Sequence, residues 1–194
     1  MNAPVLVVDL EATCSEDMAA GWEMETAEIG AVWVRGNGTV LDHFQSFVRP
    51  VVNPQLTAFF TNLTGISQSD VDDAPLFTVA AEQLRQFVER YQMPGSIWVS
   101  WGAWDARQLL RDSARYRIAE PIALPHQNGK RLFAKAQKIG KEVGMAKACQ
   151  LAGQTIAGTH HRALDDAMSI VGLLPFVFGE KLLRAQHQAN HSAP

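Results

Sequence analysis

The sequence predicts a mixed α/β fold in which an antiparallel meander of strands precedes alternating strands and helices. Two observations support this fold class. Short apolar and β-branched runs fill much of the first 50 residues, and a Gly-Asn-Gly turn separates two of them. Later segments alternate between strand-like and helical periodicity. The length of 194 residues suits one domain, which we expect at 1–184, followed by a disordered tail at 185–194.

The strands are predicted from short runs bounded by turn residues. Residues 4–10 form an apolar, β-branched run that is typical of a buried strand. Residues 28–35 and 39–48 flank the turn at 36–38, so we expect them to pair as a hairpin. A fourth strand is expected at 97–101. The first three strands therefore form the meander, and the fourth is separated from it by a helical segment.

The helices are predicted from apolar residues at helical spacing. Such spacing indicates a helix within 73–91 and another at 105–116, whose first residue is acidic and suits the positive end of the helix dipole. The last helix should begin near Ala163 and continue through Leu183. Pro175 would kink or divide that helix, because proline lacks the backbone donor.

The charge balance restricts how the chain can meet nucleic acid. Lysine and arginine number 17 against 20 acidic residues, which gives a net charge of −3. This excludes binding by a general positive coating, although metal ions could supply positive charge locally. Segment 130–147 is locally basic, with six lysines or arginines and one acid. It indicates either a solvated face or a track for a phosphate backbone.

Other features bear on the cellular location. No apolar stretch reaches the ~18 residues that a membrane span needs, and the first residues lack the cationic start of a signal peptide. The two cysteines, Cys14 and Cys149, do not have metal-binding spacing. Free thiols in a reducing cytoplasm are therefore expected.

Acidic residues mark the ends of two predicted strands. Asp9 and Glu11 stand two residues apart on the first strand, so their side chains project from one face. Carboxylates this close repel each other, and Mg²⁺ or Mn²⁺ would relieve that repulsion. Asp105 follows the fourth strand, at the edge where α/β sheets place ligands. The alternatives are a solvated strand end and an ordinary acid in the first turn of a helix.

A histidine and an acid flank the start of the last predicted helix. His161 and Asp166 are five residues apart, so they would not share one face of a continuous helix. If the helix begins near Ala163, His161 lies in the preceding loop and can fold over the same site as Asp166. The alternative is a capped helix start. The neighbours His160 and Asp165 are interpreted as a loop residue and an acid outside the metal site.

In combination, these motifs resemble the DEDDh exonuclease family, in particular the branch of the histone-mRNA 3′-end exonucleases, the enhanced-RNAi exonucleases and Snipper. The resemblance extends from about residue 5 to residue 174. It is carried by DLEATC at 9–14, LTGI at 63–66, WGAWD at 101–105 and HRALDD at 161–166. It implies a ribonuclease H-like fold and a 3′-to-5′ exonuclease that releases nucleoside 5′-monophosphates.

The resemblance also implies a role for each site residue. Two ions, Mg²⁺ or Mn²⁺, would be held by Asp9, Glu11, Asp105 and Asp166. The catalytic residues would be Glu11 and His161, with His161 as the general base. The terminal nucleotide would be bound by Glu11, Ala12, Leu63, Thr64 and His161.

Two other functions compete with the exonuclease. The first is a catalytically inactive nucleic-acid-binding domain on the same fold, but such domains usually lose one of the four acids or the histidine, and all five are present here. The second is an endonuclease of ribonuclease H type, which needs no histidine motif. The sequence leaves open RNA against DNA, single strands against 3′ overhangs, and the oligomeric state.

Overall fold

The computed structural model describes residues 3–17 and 22–183. Its described strands are β1 (Val5–Ala12), β2 (Thr26–Val34), β3 (Val40–Phe47), β4 (Ile97–Ser100) and β5 (His126–Asn128). They form one sheet in the order β3-β2-β1-β4-β5. The pairs β1–β2 and β2–β3 are antiparallel, whereas β1–β4 and β4–β5 are parallel. The predicted mixed sheet is therefore confirmed, with the acid-bearing strand β1 at its centre.

Helices cover both faces of the sheet. They are α1 (Ala58–Thr64), α2 (Gln68–Asp72), α3 (Phe77–Glu89), α4 (Trp104–Tyr116), α5 (Gly129–Ala136), α6 (Met145–Ala152) and α7 (Ala163–Val177). The sequence predicted α3, α4 and the first residue of α7, but α7 ends at Val177 instead of Leu183, and Pro175 lies in its last turn. Within the described ranges, no helix combines the length and the apolar character that crossing a membrane requires. The predicted tail at 185–194 lies outside the described residues.

The alternation of side chains along β1 divides the core into two layers. Residues 6, 8 and 10 of β1 pack with apolar residues of α3 and α4, whereas residues 5 and 7 pack with those of α5, α6 and α7. Successive side chains of a strand point to opposite faces. Asp9 and Glu11 therefore continue the row of residues that faces α7, beyond the point where the apolar core ends.

Gly30 sets how closely α7 approaches the sheet. It pairs with Asp9 across β1 and β2, and a Cβ atom at Gly30 would lie 2.2 Å from the carbonyl carbon of Ala163. A side chain of any size would collide there with backbone that cannot rotate away. The glycine thus lets the first turn of α7, which carries Asp166, lie against the strand opposite Asp9.

Candidate active site

Three carboxylates meet where β1 ends. Asp9, Glu11 and Asp166 each offer an oxygen atom, and these atoms all lie within 4.8 Å of one another. Asp9 and Glu11 come from one face of β1, and Asp166 comes from the first turn of α7 and is 5% exposed. The structure therefore brings together three of the four acids for which the sequence indicated a metal site. These three residues are called the acid cluster below.

Asp105, the fourth acid, lies beside this cluster in the first turn of α4. The backbone N–H of Leu10 donates to Asp105 Oδ1 over 3.2 Å. Leu10 stands between Asp9 and Glu11, so this bond attaches the start of α4 to the strand that carries the acid pair. Burial raises the pKa of Asp105 to about 6, although hydrogen bonds from Ser100 and Leu10 act in the opposite direction.

The electrostatics of the site favour a bound cation. Burial, followed by repulsion from Asp105 and Glu11, raises the pKa of Asp9 well above its ordinary range. Burial and repulsion from Asp166 and Glu28 raise the pKa of Glu11 to about 8. Such shifts mean that ionised carboxylates are unstable here without positive charge. Carboxylate oxygens are the ligands that hard divalent cations prefer, so the donor set fits such a cation.

Two histidines approach Asp166 from the loop before α7. The backbone N–H of His161 donates to Asp166 Oδ2 over 3.1 Å, and His160 Nδ1 lies 3.0 Å from both carboxylate oxygens. The two imidazole rings stack with their centroids 4.0 Å apart. His160 is a loop residue, as the sequence indicated, but its contact with Asp166 was missed.

His161 has the properties of a proton acceptor. Its φ of 66° lies in the left-handed region, which is strained for a residue other than glycine and clusters at functional sites. Burial, and then the neighbouring His160, lower the pKa of His161, although Asp166 acts against this. A histidine with a pKa below its ordinary value of 6.5 is neutral near pH 7 and free to accept a proton.

Asp165 has a different environment from Asp166. Its Oδ2 accepts the backbone N–H of Thr159 over 2.7 Å, and a Cβ atom at Gly158 would lie 2.2 Å from its carboxylate. Asp165 therefore packs inside the turn that leads to the two histidines. This position agrees with its interpretation as an acid outside the metal site.

Glu28 is a site residue that sequence reasoning missed. It is fully buried on β2, directly opposite Glu11. Its carboxylate accepts from the Arg162 side chain, from the Ala163 N–H over 3.0 Å and from Gln45 Nε2 over 2.6 Å. It thereby caps the first turn of α7 from the neighbouring strand. An acid within an apolar strand was the signal that could have revealed it, because buried charges need partners.

The three remaining sequence-predicted residues lie near the end of β1 and on α1. Ala12 is buried beside the irregular pairing that ends β1. Helix α1 is held near this point by Thr57, whose hydroxyl caps the helix and donates to the Cys14 carbonyl over 2.6 Å in the segment that follows β1. Leu63 is 40% exposed, whereas Thr64 is buried and its hydroxyl bonds within α1 and the following turn. The roles of these residues towards a nucleotide stay predictions.

Comparisons with known proteins assign the chain to a family. The family model of the RNase_T exonucleases matches residues 6–174. The 3′-5′ exonuclease eri1 of Schizosaccharomyces pombe is 27% identical, over 86% of this chain and 65% of the yeast protein. ERI1 exoribonuclease 3 of Homo sapiens is 28% identical, over 87% of this chain and 52% of the human protein. The chain thus spans less than two thirds of the length of these relatives.

A solved structure shows the same fold. The nuclease domain of 3′hExo, a DEDDh family member bound to rAMP, superposes with a TM-score of 0.79 at 24% identity. The superposition covers 94% of this chain and 96% of that domain. The predicted ribonuclease H-like fold is therefore confirmed. Because the family model matches most of its length, the chain belongs to the RNase_T exonuclease family.

Proposed function

We propose that this chain is a 3′-to-5′ exonuclease that hydrolyses the terminal phosphodiester bond of RNA or DNA and releases nucleoside 5′-monophosphates. The observation that carries the proposal is the acid cluster at the end of β1, with Asp105 on one side and His161 on the other. Family membership and the names of both relatives support it. A binding domain without activity has no use for three mutually repelling acids, of which Asp9 and Glu11 are half-buried and Asp166 is buried, so it is not favoured.

The site requires a divalent cation, and we propose two Mg²⁺ or Mn²⁺ ions held by Asp9, Glu11, Asp105 and Asp166. When bound, such ions stabilise the negative charge that develops on the phosphate and lower the pKa of coordinated water. The four side chains are suited to this role because burial and mutual repulsion already favour a counter-charge.

We propose His161 as the general base that accepts a proton from the attacking water. Its lowered pKa keeps the ring neutral at physiological pH, and its backbone bond to Asp166 holds the loop against the acid cluster. The neutral imidazole is the form that accepts a proton in general-base catalysis. The stacked ring of His160 limits the directions in which His161 can turn.

The terminal nucleotide is proposed to lie between β1 and α1. Glu11 would accept a hydrogen bond from the 3′-hydroxyl, the backbone of Ala12 would contact the same nucleotide, and exposed Leu63 would press against the base. Thr64 would contribute by holding the turn after α1, since its hydroxyl is already bonded there. We also propose that residues 1–184 form one catalytic domain and that it acts in the cytoplasm.

Digestion of a 5′-labelled strand tests the proposed reaction. With Mn²⁺ present, we expect a ladder of labelled products that shorten one nucleotide at a time, together with released mononucleotides. Internal fragments at early times would indicate an endonuclease, and a bound but intact strand would indicate an inactive binding domain. An Asp9→Asn variant from the same purification controls for a contaminating nuclease. Matched RNA and DNA, single-stranded or with 3′ overhangs, would then define the substrate.

A further inference from the structure

Helix α4 carries a stripe of arginines that begins beside the candidate active site. Arg107, Arg111 and Arg115 are four residues apart, so they share one face of the helix over about 12 Å. The two acids of the same helix, Asp105 and Asp112, are buried. The outward face of α4 is therefore positively charged, in a chain whose net charge is −3.

A groove of about 680 Å³ runs along this helix. It is lined by the aromatic residues Trp22 and Trp104, by Arg111 and Arg115, and by one acid, Glu23. This volume lies within the range of about 300–1,000 Å³ that is usual for ligand sites. The bases of single-stranded nucleic acids stack on indole rings, and guanidinium groups neutralise the charge of their phosphates.

Two chain segments connect the groove to the candidate active site. Trp104 immediately precedes Asp105 in the first turn of α4. The indole Nε1 of Trp22 donates to the carbonyl of Thr13 over 3.3 Å, and Thr13 is the residue that follows β1. Both indoles are thus attached to the segments that lead out of the acid cluster.

Arg111 is the groove residue best placed to meet a phosphate. Arg115 already pairs with Glu23 over 2.8 Å and with Asp112 over 2.7 Å, so its charge is largely compensated. Arg111 is exposed and bonds to the side-chain oxygen of Gln108. Among the carboxylates of the described chain, none lies within 4.0 Å of the Arg111 guanidinium.

We propose that this groove binds the part of the substrate strand upstream of the 3′-terminal nucleotide, with Arg111 contacting a phosphate and the Trp22 indole stacking on a base. This inference rests on the proposed function. The acid cluster repels a polyanion, so a strand that enters it needs compensating positive charge nearby.

The basic segment 130–147 is a weaker candidate for the same role. It is divided between α5, α6 and the loop that joins them, and its Arg131 lies 3.5 Å from the carboxylate of Glu142. The groove there is lined by Arg131, Ala134, Lys135, Gly140, Lys141 and Glu142, which include no aromatic ring. It offers a matched control, because Lys135→Ala removes one positive charge just as Arg111→Ala does.

Binding without hydrolysis tests the groove directly. Fluorescence anisotropy with a labelled single strand of about twelve nucleotides, in excess chelator, reports affinity while the reaction is stopped. We expect Arg111→Ala to weaken binding by about three- to tenfold and to make the slope of log affinity against log salt shallower by about 0.7, the value for one lost phosphate contact on a single strand. Lys135→Ala should keep the wild-type slope. Trp22→Ala should weaken the affinity for the strand about tenfold, and Trp22→Phe should retain most of the wild-type affinity.

Hydrolysis separates this inference from the proposed function. With Mn²⁺, the wild-type preference in kcat/KM for the long strand over a dinucleotide should fall in Arg111→Ala by the same factor as the affinity. If the wild type cleaves neither substrate but the variants still differ in affinity as expected, the proposed function is wrong and the proposed role of the groove is retained. The proposed role of the groove is wrong if Arg111→Ala has the wild-type affinity and salt slope, or if Lys135→Ala loses as much affinity as Arg111→Ala.

Discussion

Glu28 and Arg162 form a bidentate ion pair beside the acid cluster, with Arg162 Nη2 3.0 Å from Glu28 Oε1 and Nε 3.1 Å from Oε2. The carboxylate also caps the N–H of Ala163. One buried acid on β2 therefore fixes both the residue that follows His161 and the start of the helix that carries Asp166. We expect the pair to position the site and not to contact the reacting atoms.

Breaking this pair should impair turnover as well as stability. Glu28→Gln leaves the half-buried Arg162 charge without its ionic partner, and removing one partner of such a hydrogen-bonded group costs about 1–3 kcal/mol. We expect a lower free energy of unfolding, and a fall in kcat larger than any rise in KM, in assays below the melting temperature of the variant. Denaturant titration and steady-state kinetics measure the two effects.

Glu25→Gln is the matched control for this variant. Glu25 is also a buried carboxylate of the same region and caps the backbone N–H groups of 51–53, away from α7. It should lose stability while kcat is retained. Equal losses of kcat in the two variants would show that Glu28 acts through stability alone.

Metal binding should stabilise the protein more at alkaline pH. The folded state raises the pKa of Glu11 from 4.5 to about 8, so the folded protein holds this proton more tightly than the unfolded chain does. The free energy of unfolding of the metal-free protein should therefore fall as pH rises through this interval. Mg²⁺ or Mn²⁺ at about 100 times its Kd adds about 2.7 kcal/mol to the free energy of unfolding.

Thermal melts with chelator or metal measure this linkage. Above about pH 7, His161 is already neutral, and below about pH 8 the two thiols, whose pKa values folding raises, are still protonated. The decline between about pH 7 and 8 therefore reports the carboxylates, and Glu11→Gln should flatten it. The increment in melting temperature on adding metal should grow over the same range. A metal-free protein that becomes more stable between about pH 7 and 8 would contradict the assignment.

Adjacent aspartates should respond in opposite ways to the same substitution. Asp166→Asn removes a charge from the acid cluster and should abolish cleavage and weaken metal binding. Asp165→Asn keeps an oxygen that can accept the Thr159 N–H, so most activity should survive. Isothermal titration with Mn²⁺ and a single-turnover assay distinguish the two variants. The reverse pattern would assign Asp165 to the metal.

Substitutions of the two neighbouring histidines should also have different effects. His161→Ala should lower the rate by about 10²–10⁴-fold while metal affinity is retained, as expected when a general base is removed. The wild-type rate should rise with pH as a group with a pKa below 6.5 loses its proton, because the pKa of His161 is lowered. This pH dependence should vanish in His161→Ala. His160→Ala should lose less of the rate and keep the pH dependence. A larger loss in His160→Ala would make His160 the base.

Gly30 offers a test of how α7 is positioned. Gly30→Ala places a Cβ against the Ala163 backbone, and overpacking of this kind costs about 1–3 kcal/mol. Metal affinity should fall as well, because α7 must move away from Asp9. Gly144→Ala, at a glycine with open space around its Cβ position, controls for the extra methyl group. Unchanged metal affinity in Gly30→Ala would contradict this prediction, because it would show that Asp166 still binds the metal after α7 has moved.

The sequence predicted the parts of the fold that carry apolar periodicity. β1 to β4, α3, α4 and the start of α7 have such patterns and were found close to their expected positions. β5 was missed because His126–Asn128 is a short polar strand with no alternation. α1 and α2 were missed because they are too short for periodicity to show, although Thr57 and Gly65 are the cap residues that mark the ends of α1.

The candidate site was predictable where residue type and spacing decide the chemistry. Asp9, Glu11 and Asp166 share one cluster as expected, because strand alternation and the start of α7 fix their directions. The roles of Glu28 and His160 depend on which side chains face each other across distant segments, and spacing along the chain does not contain that information.

The origin of the acid cluster in β1 and α7 has a consequence for biosynthesis. Asp9 and Glu11 leave the ribosome early, whereas Asp166 follows only after all five strands of the sheet have been made. A growing chain therefore holds an incomplete set of carboxylates until α7 has been synthesised. Without Asp166, the nascent chain lacks the acid cluster on which the proposed activity depends.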